Sequence, residues 1–178
     1  NIGPAGLTVV IVRDDLIREP LPFTPSVFSY RLNAQHNGRV NTPMSYAIYL
    51  AGLVFEHLKQ QGGIPAAQAR NRQKSRRLYE LIDRSRFYRS AVKAPWRSSM
   101  NCCFSLTDQR LTERFVQQAR ERGLINLRGH GARGGIRASL YNAMPESGVE
   151  RLVTFMEEFA ETNQNRSHGG LSELGSLS

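Results

Sequence analysis

One segment constrains the fold of this chain more than any other, because it is typical of a β-strand and has no partner nearby. Residues 7–12, LTVVIV, form a β-branched apolar run of the kind found in strands covered on both faces of a sheet. A turn with Gly3, Pro4 and Gly6 precedes the run, and residues 13–63 contain no second strand-like segment. Since a strand needs neighbours for its backbone hydrogen bonds, residues 1–63 are predicted to be an incomplete part of a large α/β domain.

Two helices are predicted after a proline-rich connection. The tripeptide Asn41-Thr42-Pro43 is a strong start signal, because Thr42 can cap a helix and Pro43 suits its first position. The first helix is therefore predicted over residues 43–61, ended by Gly62-Gly63. Apolar residues nearly encircle this helix, so we expect it to be buried. A second helix is predicted from Pro65 to about Asp83, and residues 64–85 are interpreted as an interdomain helix.

The pattern then changes to short alternating strands and helices, which predicts a separate small α+β domain over residues 86–162. Its predicted elements are strands at residues 100–106, 125–127 and 136–141 and a helix at residues 111–122. A last helix starts at Pro145, and its apolar stripe should pack on the sheet. The stripe consists of Val149, Leu152, Val153, Met156 and Phe159. Residues 163–178 are rich in Ser, Gly and Asn and are expected to form a disordered tail.

The net charge of +9 comes almost entirely from arginine and raises the question of an anionic partner. Arginine suits bidentate recognition of carboxylates and phosphates. The densest group surrounds the second predicted helix and consists of Arg70, Arg72, Lys74, Arg76, Arg77, Arg84, Arg86 and Arg89. A solvated helix face is favoured, because the group lacks interleaved aromatic residues and no nucleic-acid-binding motif is present. A nucleic-acid-binding module stays as an alternative.

The two cysteines, Cys102 and Cys103, are adjacent in a strand-like run, where successive side chains point to opposite faces. Two buried small hydrophobic residues are therefore expected, without a disulfide or a metal site, and the implied compartment is the reducing cytoplasm. The histidines show no metal-ligand spacing. The longest apolar stretch, residues 46–55, falls well short of the roughly 20 residues that a membrane-spanning helix needs.

Four segments occur in an order that resembles the phosphoserine aminotransferase family. They are NIGPAGLTVVIVRDDL at residues 1–16, NTPMSYAIYLAGLVF at residues 41–55, RSSMNCCFSL at residues 97–106 and RGHGARGGIRASLYNAMP at residues 128–145. The resemblance covers about residues 1–162, and its specificity comes mainly from the first and last segments. It implies the C-terminal part of a fold type I transferase that uses pyridoxal phosphate, of the α/β class: a remnant of the large domain followed by the small α+β domain.

The resemblance also implies an activity and a partner. Members of this family are homodimers with composite active sites. They exchange an amino group between glutamate and 3-phosphohydroxypyruvate, which gives phosphoserine and 2-oxoglutarate in serine biosynthesis. Bacterial relatives also serve pyridoxine biosynthesis by acting on a related phosphorylated oxo acid, and both roles stay open for this chain.

The family's cofactor-binding lysine directly precedes the residue that corresponds to Asn1. A transaminase needs this amine as the covalent anchor of the cofactor and as the base that moves the substrate's α-proton. None of Lys59, Lys74 and Lys93 lies in a matching motif. We therefore assign no catalytic residue and expect the 178 residues alone to be inactive in transamination. A non-catalytic truncated partner protein stays as an alternative.

Asn41 and Thr42 resemble the family pair that reaches across the dimer to the cofactor phosphate of the other subunit. A helix N-terminus concentrates positive potential, and a Thr hydroxyl and an Asn amide there can donate hydrogen bonds to a phosphate. The alternative is structural: Thr42 caps the helix and Asn41 supports a turn.

The glycine-rich loop 129–135 leads to the predicted substrate-binding residues. Arg137 resembles the family arginine that holds the substrate's α-carboxylate, a task that suits its planar fork. His130 resembles the histidine that contacts the substrate's phosphate together with a following arginine. The chain departs from the family at that next position, which is Gly131. Arg133 could compensate if the glycines allow the loop to bring it round.

Overall fold

The computed structural model describes residues 1–131 and 133–169, with the backbone alone for residues 165–169. The chain divides into two compact units. The first unit consists of residues 2–63, and the second consists of Asn1 and the residues from Ile64 onward. Each unit is described by itself.

The first unit contains the helices α1 (Tyr30–Gln35) and α2 (Ser45–Gln60) and short 3-10 helices at Asp14–Leu16 and Ser26–Phe28. Most residues of α2 are exposed. The strand predicted at residues 7–12 is wrong for this chain, because these residues form no β-pairing within the described part of the chain. Their side chains are largely uncovered, and Ile11 is 94% exposed. The physical reason is the one that the sequence indicates: no neighbouring strand exists among residues 13–63.

Helix α2 differs from its prediction in two respects. It begins at Ser45 rather than at residue 43, and Met44 occupies the N-cap position without a side-chain hydrogen bond. Thr42 therefore does not cap the helix. The expected burial is also wrong, since Ala47 and Ala51 are its only buried residues. The predicted end is confirmed: the backbone turns to a positive φ of 90° at Gly62, which glycine adopts without strain.

The second unit begins with α3 (Gly63–Arg84), a helix close to the predicted one. Its buried residues recur at spacings of three and four, so one face of the helix lies against the rest of the unit. The C-terminal half of this face is apolar and the N-terminal half is polar. The buried residues are Asn71, Lys74, Ser75, Leu78, Leu81 and Ile82.

A three-stranded antiparallel sheet follows, with the order β1 (Tyr88–Arg89), β2 (Asn101–Leu106) and β3 (Ile136–Ser139). The predicted strands at residues 100–106 and 136–141 are confirmed with shorter bounds. The strand predicted at residues 125–127 is wrong, and only a single bridge between Arg128 and Ile136 is present there. Asn126 has a φ of 60°, which is incompatible with a continuous strand. Strand β1 was not predicted, because two residues are too few to show an alternating pattern.

Two helices cover the inner face of the sheet: α4 (Thr112–Glu121) and α5 (Glu146–Gly169). The apolar stripe predicted for α5 is confirmed, since all five of its residues are buried. The tail predicted from residue 163 is wrong for residues 163–169, because α5 continues to Gly169. The remainder of the predicted tail, residues 170–178, lies outside the described residues.

Phe115 lies at the centre of the core formed by these elements and is fully buried. Its ring contacts the rings of Tyr88, Phe104, Phe155 and Phe159 at centroid distances between 4.9 and 6.2 Å. Three of the four contacts are edge-to-face, the arrangement that aromatic quadrupoles favour. This one residue therefore joins the sheet to both covering helices.

We predict that Phe115→Ala lowers the free energy of unfolding of the second unit by about 3–5 kcal/mol, because it removes buried apolar area and leaves a cavity. Denaturant unfolding, followed by tyrosine fluorescence and far-ultraviolet circular dichroism, measures the change. The same substitution at Phe28, which is 73% exposed, serves as the matched control and should change stability by less than about 0.5 kcal/mol. Equal losses for the two variants would contradict the central position of Phe115.

Candidate functional site

Arg137 lies on the open face of the small sheet. In β2 the side chains of Cys102, Phe104 and Leu106 are buried, so the alternating residues point away from the core. Arg137 pairs with one of these outward residues, Cys103, and is itself exposed. Among the described residues its guanidinium makes no hydrogen bond or ion pair, so all five of its donors are available to a ligand.

The loop before β3 is a tight glycine turn. The carbonyl oxygen of His130 accepts hydrogen bonds from the backbone N–H of Arg133 (2.9 Å) and of Gly134 (2.8 Å). The N–H of Gly129 donates to the carbonyl oxygen of Gly135 (2.9 Å), which closes the loop at its base. A β-carbon on Gly129 would lie 2.1 Å from the carbonyl oxygen of Gly134, a distance that no side chain tolerates.

The turn places His130 and Arg133 at its two ends. A hydrogen bond between residues i and i+3 holds their α-carbons within about 7 Å of one another. Both side chains are exposed. The backbone thus brings Arg133 close to His130. This proximity is required if Arg133 is to replace the family arginine, whose position is occupied by Gly131 in this chain.

Asn41 and Thr42 belong to the first unit, whereas the other predicted site residues belong to the second. Both side chains are exposed and make no hydrogen bond within the described part of the chain. The hydroxyl of Thr42 is not used for capping, because α2 begins three residues later and Met44 takes the N-cap position. The structural alternative for Thr42 therefore finds no support in the geometry.

Lys74 has a role that the sequence analysis missed. It is only 3% exposed, so it is not part of the solvated helix face to which it was assigned. Its Nζ donates to the carbonyl oxygens of Tyr141 (2.7 Å) and Met144 (2.9 Å), and burial lowers the pKa of its amine. The signal was present in the sequence: Lys74 lies four residues before the buried Leu78, on the apolar side of α3.

Other polar side chains hold the same segment after β3. The amide nitrogen of Asn71 donates to Oδ1 of Asn142 at 2.7 Å. The backbone N–H of Asn142 in turn donates to Oδ1 of Asn1 at 3.0 Å. Residues 141–144, which directly follow the strand of Arg137, are therefore fixed by hydrogen bonds from α3 and from Asn1.

The remaining arginines around α3 are largely exposed, and several pair with acids. Arg76 pairs with Glu80, and Arg84 pairs with Glu157. Arg97 forms a bidentate pair with Asp83 at 2.6 and 2.7 Å, which holds the pKa of that carboxyl below its usual value. These pairs neutralise part of the positive charge around α3.

The two cysteines differ from the prediction that both are buried. Cys102 is fully buried and Cys103 is exposed, and both are free thiols. Burial raises the pKa of Cys102 to about 11, so this thiol stays protonated at neutral pH. Among the side chains of residues 1–131 and 133–164, no group of three or more His, Cys, Asp or Glu residues is arranged to hold a metal ion. None of the described helices has the length and apolar character of a membrane span.

Comparisons with known proteins identify the family of this chain. A profile of the class-V aminotransferases matches residues 1–152. The chain belongs to this family of aminotransferases. Among its curated relatives is a phosphoserine aminotransferase of Ralstonia pickettii, 55% identical over 159 residues, which covers 89% of this chain and 42% of that protein. Another, from Coxiella burnetii, is 49% identical over 160 residues and covers 89% and 44%.

Solved structures give the same result. The chain is similar to phosphoserine aminotransferase from Bacillus circulans subsp. alkalophilus, with a TM-score of 0.87 and 40% identity over 92% of this chain and 45% of that one. It is also similar to the PLP-bound phosphoserine aminotransferase of Trichomonas vaginalis, with a TM-score of 0.74 and 36% identity over 79% and 40% of the two chains. The chain therefore spans less than half the length of the relatives that it matches, and its fold is part of an α/β aminotransferase fold.

We predict that Gly129→Ala lowers the free energy of unfolding by about 1–3 kcal/mol and displaces the turn, because the added β-carbon collides with a backbone carbonyl. Thermal unfolding and the amide NMR shifts of Arg133 and Arg137 measure both effects. Gly131→Ala is the matched control, since a β-carbon there meets no atom within 4 Å. A tolerated alanine at position 129 would show that the loop is not closed in solution.

Lys74→Met should lower the free energy of unfolding at neutral pH by about 1–3 kcal/mol, because two buried carbonyl groups lose their donor. The pKa of Lys74 in the folded chain is below the ordinary value of 10.5. At pH values between the folded pKa and 10.5, the unfolded chain therefore binds more protons than the folded chain. The wild type should therefore gain stability relative to the variant as pH rises toward 10.5. Lys93→Met, at an exposed lysine, is the control and should show neither effect.

Proposed function

We propose that this chain is the C-terminal part of a phosphoserine aminotransferase, which transfers an amino group between glutamate and 3-phosphohydroxypyruvate in serine biosynthesis. The 55% identity to the Ralstonia pickettii enzyme over 159 residues carries this proposal. A second role in pyridoxine biosynthesis follows if the same site accepts the related phosphorylated oxo acid. Two free cysteines agree with a location in the reducing cytoplasm.

Arg137 is the residue proposed to bind the substrate's α-carboxylate. Its unpaired guanidinium stands on a rigid strand, with pairing to β2 at Cys103 and a backbone hydrogen bond from its N–H to the carbonyl of Leu127 at 2.9 Å. A carboxylate that accepts two parallel N–H bonds from such a guanidinium is held in both position and orientation. His130 and Arg133 are proposed to bind the second anionic group of the substrate, because the glycine turn brings them together at the end of the same strand.

Pyridoxal phosphate is the cofactor proposed for the assembled enzyme, and it supplies the electron sink that lets the substrate's α-proton leave. Asn41 and Thr42 fit its phosphate, because their donors are unused and they precede the N-terminus of α2. None of the three lysines lies in the family's anchor motif, and two of them have other contacts: Lys59 pairs with Glu56, and Lys74 is buried on two carbonyl groups. We therefore propose that the residues of this chain bind and orient, and that the amine stands at the position before Asn1, as in the family.

A homodimer with composite sites is proposed as the working assembly. Asn41 and Thr42 would then bind the cofactor phosphate of the second subunit. The exposed apolar side chains of α2 support an assembly that covers this helix, because soluble proteins rarely leave such a surface open to water. They include Tyr46, Ile48, Tyr49, Leu53 and Phe55.

A chimera tests the proposed function. The residues of the Ralstonia pickettii enzyme that precede the matched region, ending in its lysine, are joined to Asn1 of this chain. We expect the chimera to form phosphoserine from glutamate and 3-phosphohydroxypyruvate, and the chain alone to form none. Arg137→Lys in the chimera should lower kcat/KM at least about tenfold, because a lysine cannot make the bidentate contact.

Arg120→Lys is the matched control, since Arg120 is exposed on α4 and should not affect the reaction. A folded, cofactor-loaded chimera that forms no phosphoserine would contradict the proposed activity. Equal effects of the two lysine substitutions would contradict the role of Arg137 and leave the activity itself intact.

A further inference from the structure

We propose that Arg89 is a second anion-binding residue, and that Arg89 and Arg137 together hold acids with an anionic group at each end. This inference rests on the proposed function and adds a specificity-determining residue to it. Neither the resemblance nor the charge pattern assigned this role to Arg89, which was one member of a group of cations in the sequence. The strand register places Arg89 on the sheet, whereas most of that group lies on α3.

The register places the two arginines on the same face of the sheet. Arg89 pairs with Ser105 of β2, and Arg137 pairs with Cys103 of the same strand. Ser105 and Cys103 are two residues apart, so their side chains point to one face, and paired residues share that face. Burial agrees, because Tyr88, the neighbour of Arg89, is on the core side and is 1% exposed.

The separation suits a small substrate. Arg89 on β1 and Arg137 on β3 are separated by two inter-strand spacings, and along the strands they are offset by two residues. Their α-carbons therefore lie about 12 Å apart. Both side chains are long enough to reach inward from these positions. The residues between them are small, namely Cys103, Ser105 and Gly135, so the face is open at this point.

The electrostatics of this face favour an anion. The outward residues of the three strands include no Asp or Glu among the described residues, and neither strand arginine has a hydrogen bond or ion pair there. Six acids elsewhere in the second unit pair with other arginines. These pairs are Asp83–Arg97, Asp108–Arg110, Glu80–Arg76, Glu113–Arg128, Glu157–Arg84 and Glu158–Arg122.

The glycine turn meets the sheet at the Arg89 end of this face. A β-carbon on Gly135 would lie 3.8 Å from the β-carbon of Ser105, the residue that pairs with Arg89. The turn therefore begins at the same level of the sheet as Arg89, with Ser105 of β2 between the two. Because position 131 is a glycine without charge, Arg89 supplies a cation from the sheet to the same region. Arg137 holds the α-carboxylate, and Arg89 holds the distal anion together with His130 and Arg133.

A pair of ligands tests this arrangement in the full 178-residue chain. Glutarate and pentanoate have the same chain length, and only glutarate has a distal carboxylate. Binding is measured by NMR titration of the arginine Nε–Hε signals and of the amides of β2 and β3. We expect the wild type to bind glutarate about tenfold more tightly than pentanoate, as one charge-assisted hydrogen-bonded contact provides.

Arg89→Gln should weaken glutarate binding severalfold, toward the level of pentanoate, and leave pentanoate binding unchanged. Arg137→Gln should weaken both ligands, and Arg120→Gln, the exposed control on α4, should change neither. Unaltered amide shifts outside the sheet verify that each variant is folded, and Arg89→Lys should recover part of the preference for glutarate. A third ligand, 4-phosphonobutyrate, shows whether a distal phosphonate replaces the distal carboxylate.

Two results would overturn the proposal: a wild type that does not distinguish glutarate from pentanoate or binds neither, and an Arg89→Gln variant that keeps the preference. These results are separate from a failure of the proposed function. An active chimera together with an unchanged preference would leave the aminotransferase activity in place and remove Arg89 from substrate binding.

Discussion

The antiparallel pairing of β2 with β3 is the interaction on which the second unit depends. Its register places Cys102 opposite Ala138 and Cys103 opposite Arg137. Through this one register, the inward residues form the floor of the aromatic core and the outward residues form the proposed binding face. A slip of one residue would exchange the two faces and bury a guanidinium. Folding and recognition therefore use the same set of backbone hydrogen bonds.

The buried polar network of α3 has a complementary role. Lys74 and Asn71 are more deeply buried than is usual for their residue types, and both form hydrogen bonds with the segment between β3 and α5. Such groups stabilise little in net terms, because desolvation offsets much of each hydrogen bond. They specify geometry instead. Only one path of residues 141–144 satisfies the amine of Lys74 and the amide of Asn71 at once, so the end of the strand that bears Arg137 is held in one place.

The sequence predicted the second unit well and the first unit poorly, for physical reasons. The apolar stripe of α5 and the alternation of β2 are local patterns. Because the core of this unit is formed by residues of the chain itself, the residues that these patterns predicted to be buried are buried. Residues 7–12 show an equally clear pattern, but their hydrogen-bonding partners are not among residues 13–63, and no strand formed. The site divides in the same way. Arg137 was predicted from a motif, whereas the proposal for Arg89 depends on a two-residue strand and a register that no local pattern contains.

The near absence of buried apolar side chains in the first unit has a thermodynamic consequence. With Ala47 and Ala51 as the buried residues of α2, hydrophobic burial within this unit is too small to offset its conformational entropy. In the proposed homodimer, the surface that covers α2 would supply further free energy of folding. In such a system folding and association are linked, and the folded fraction rises with the concentration of the binding surface. In the proposed homodimer, the order of residues 2–63 would therefore depend on the assembly, while the core around Phe115 lies within the second unit itself.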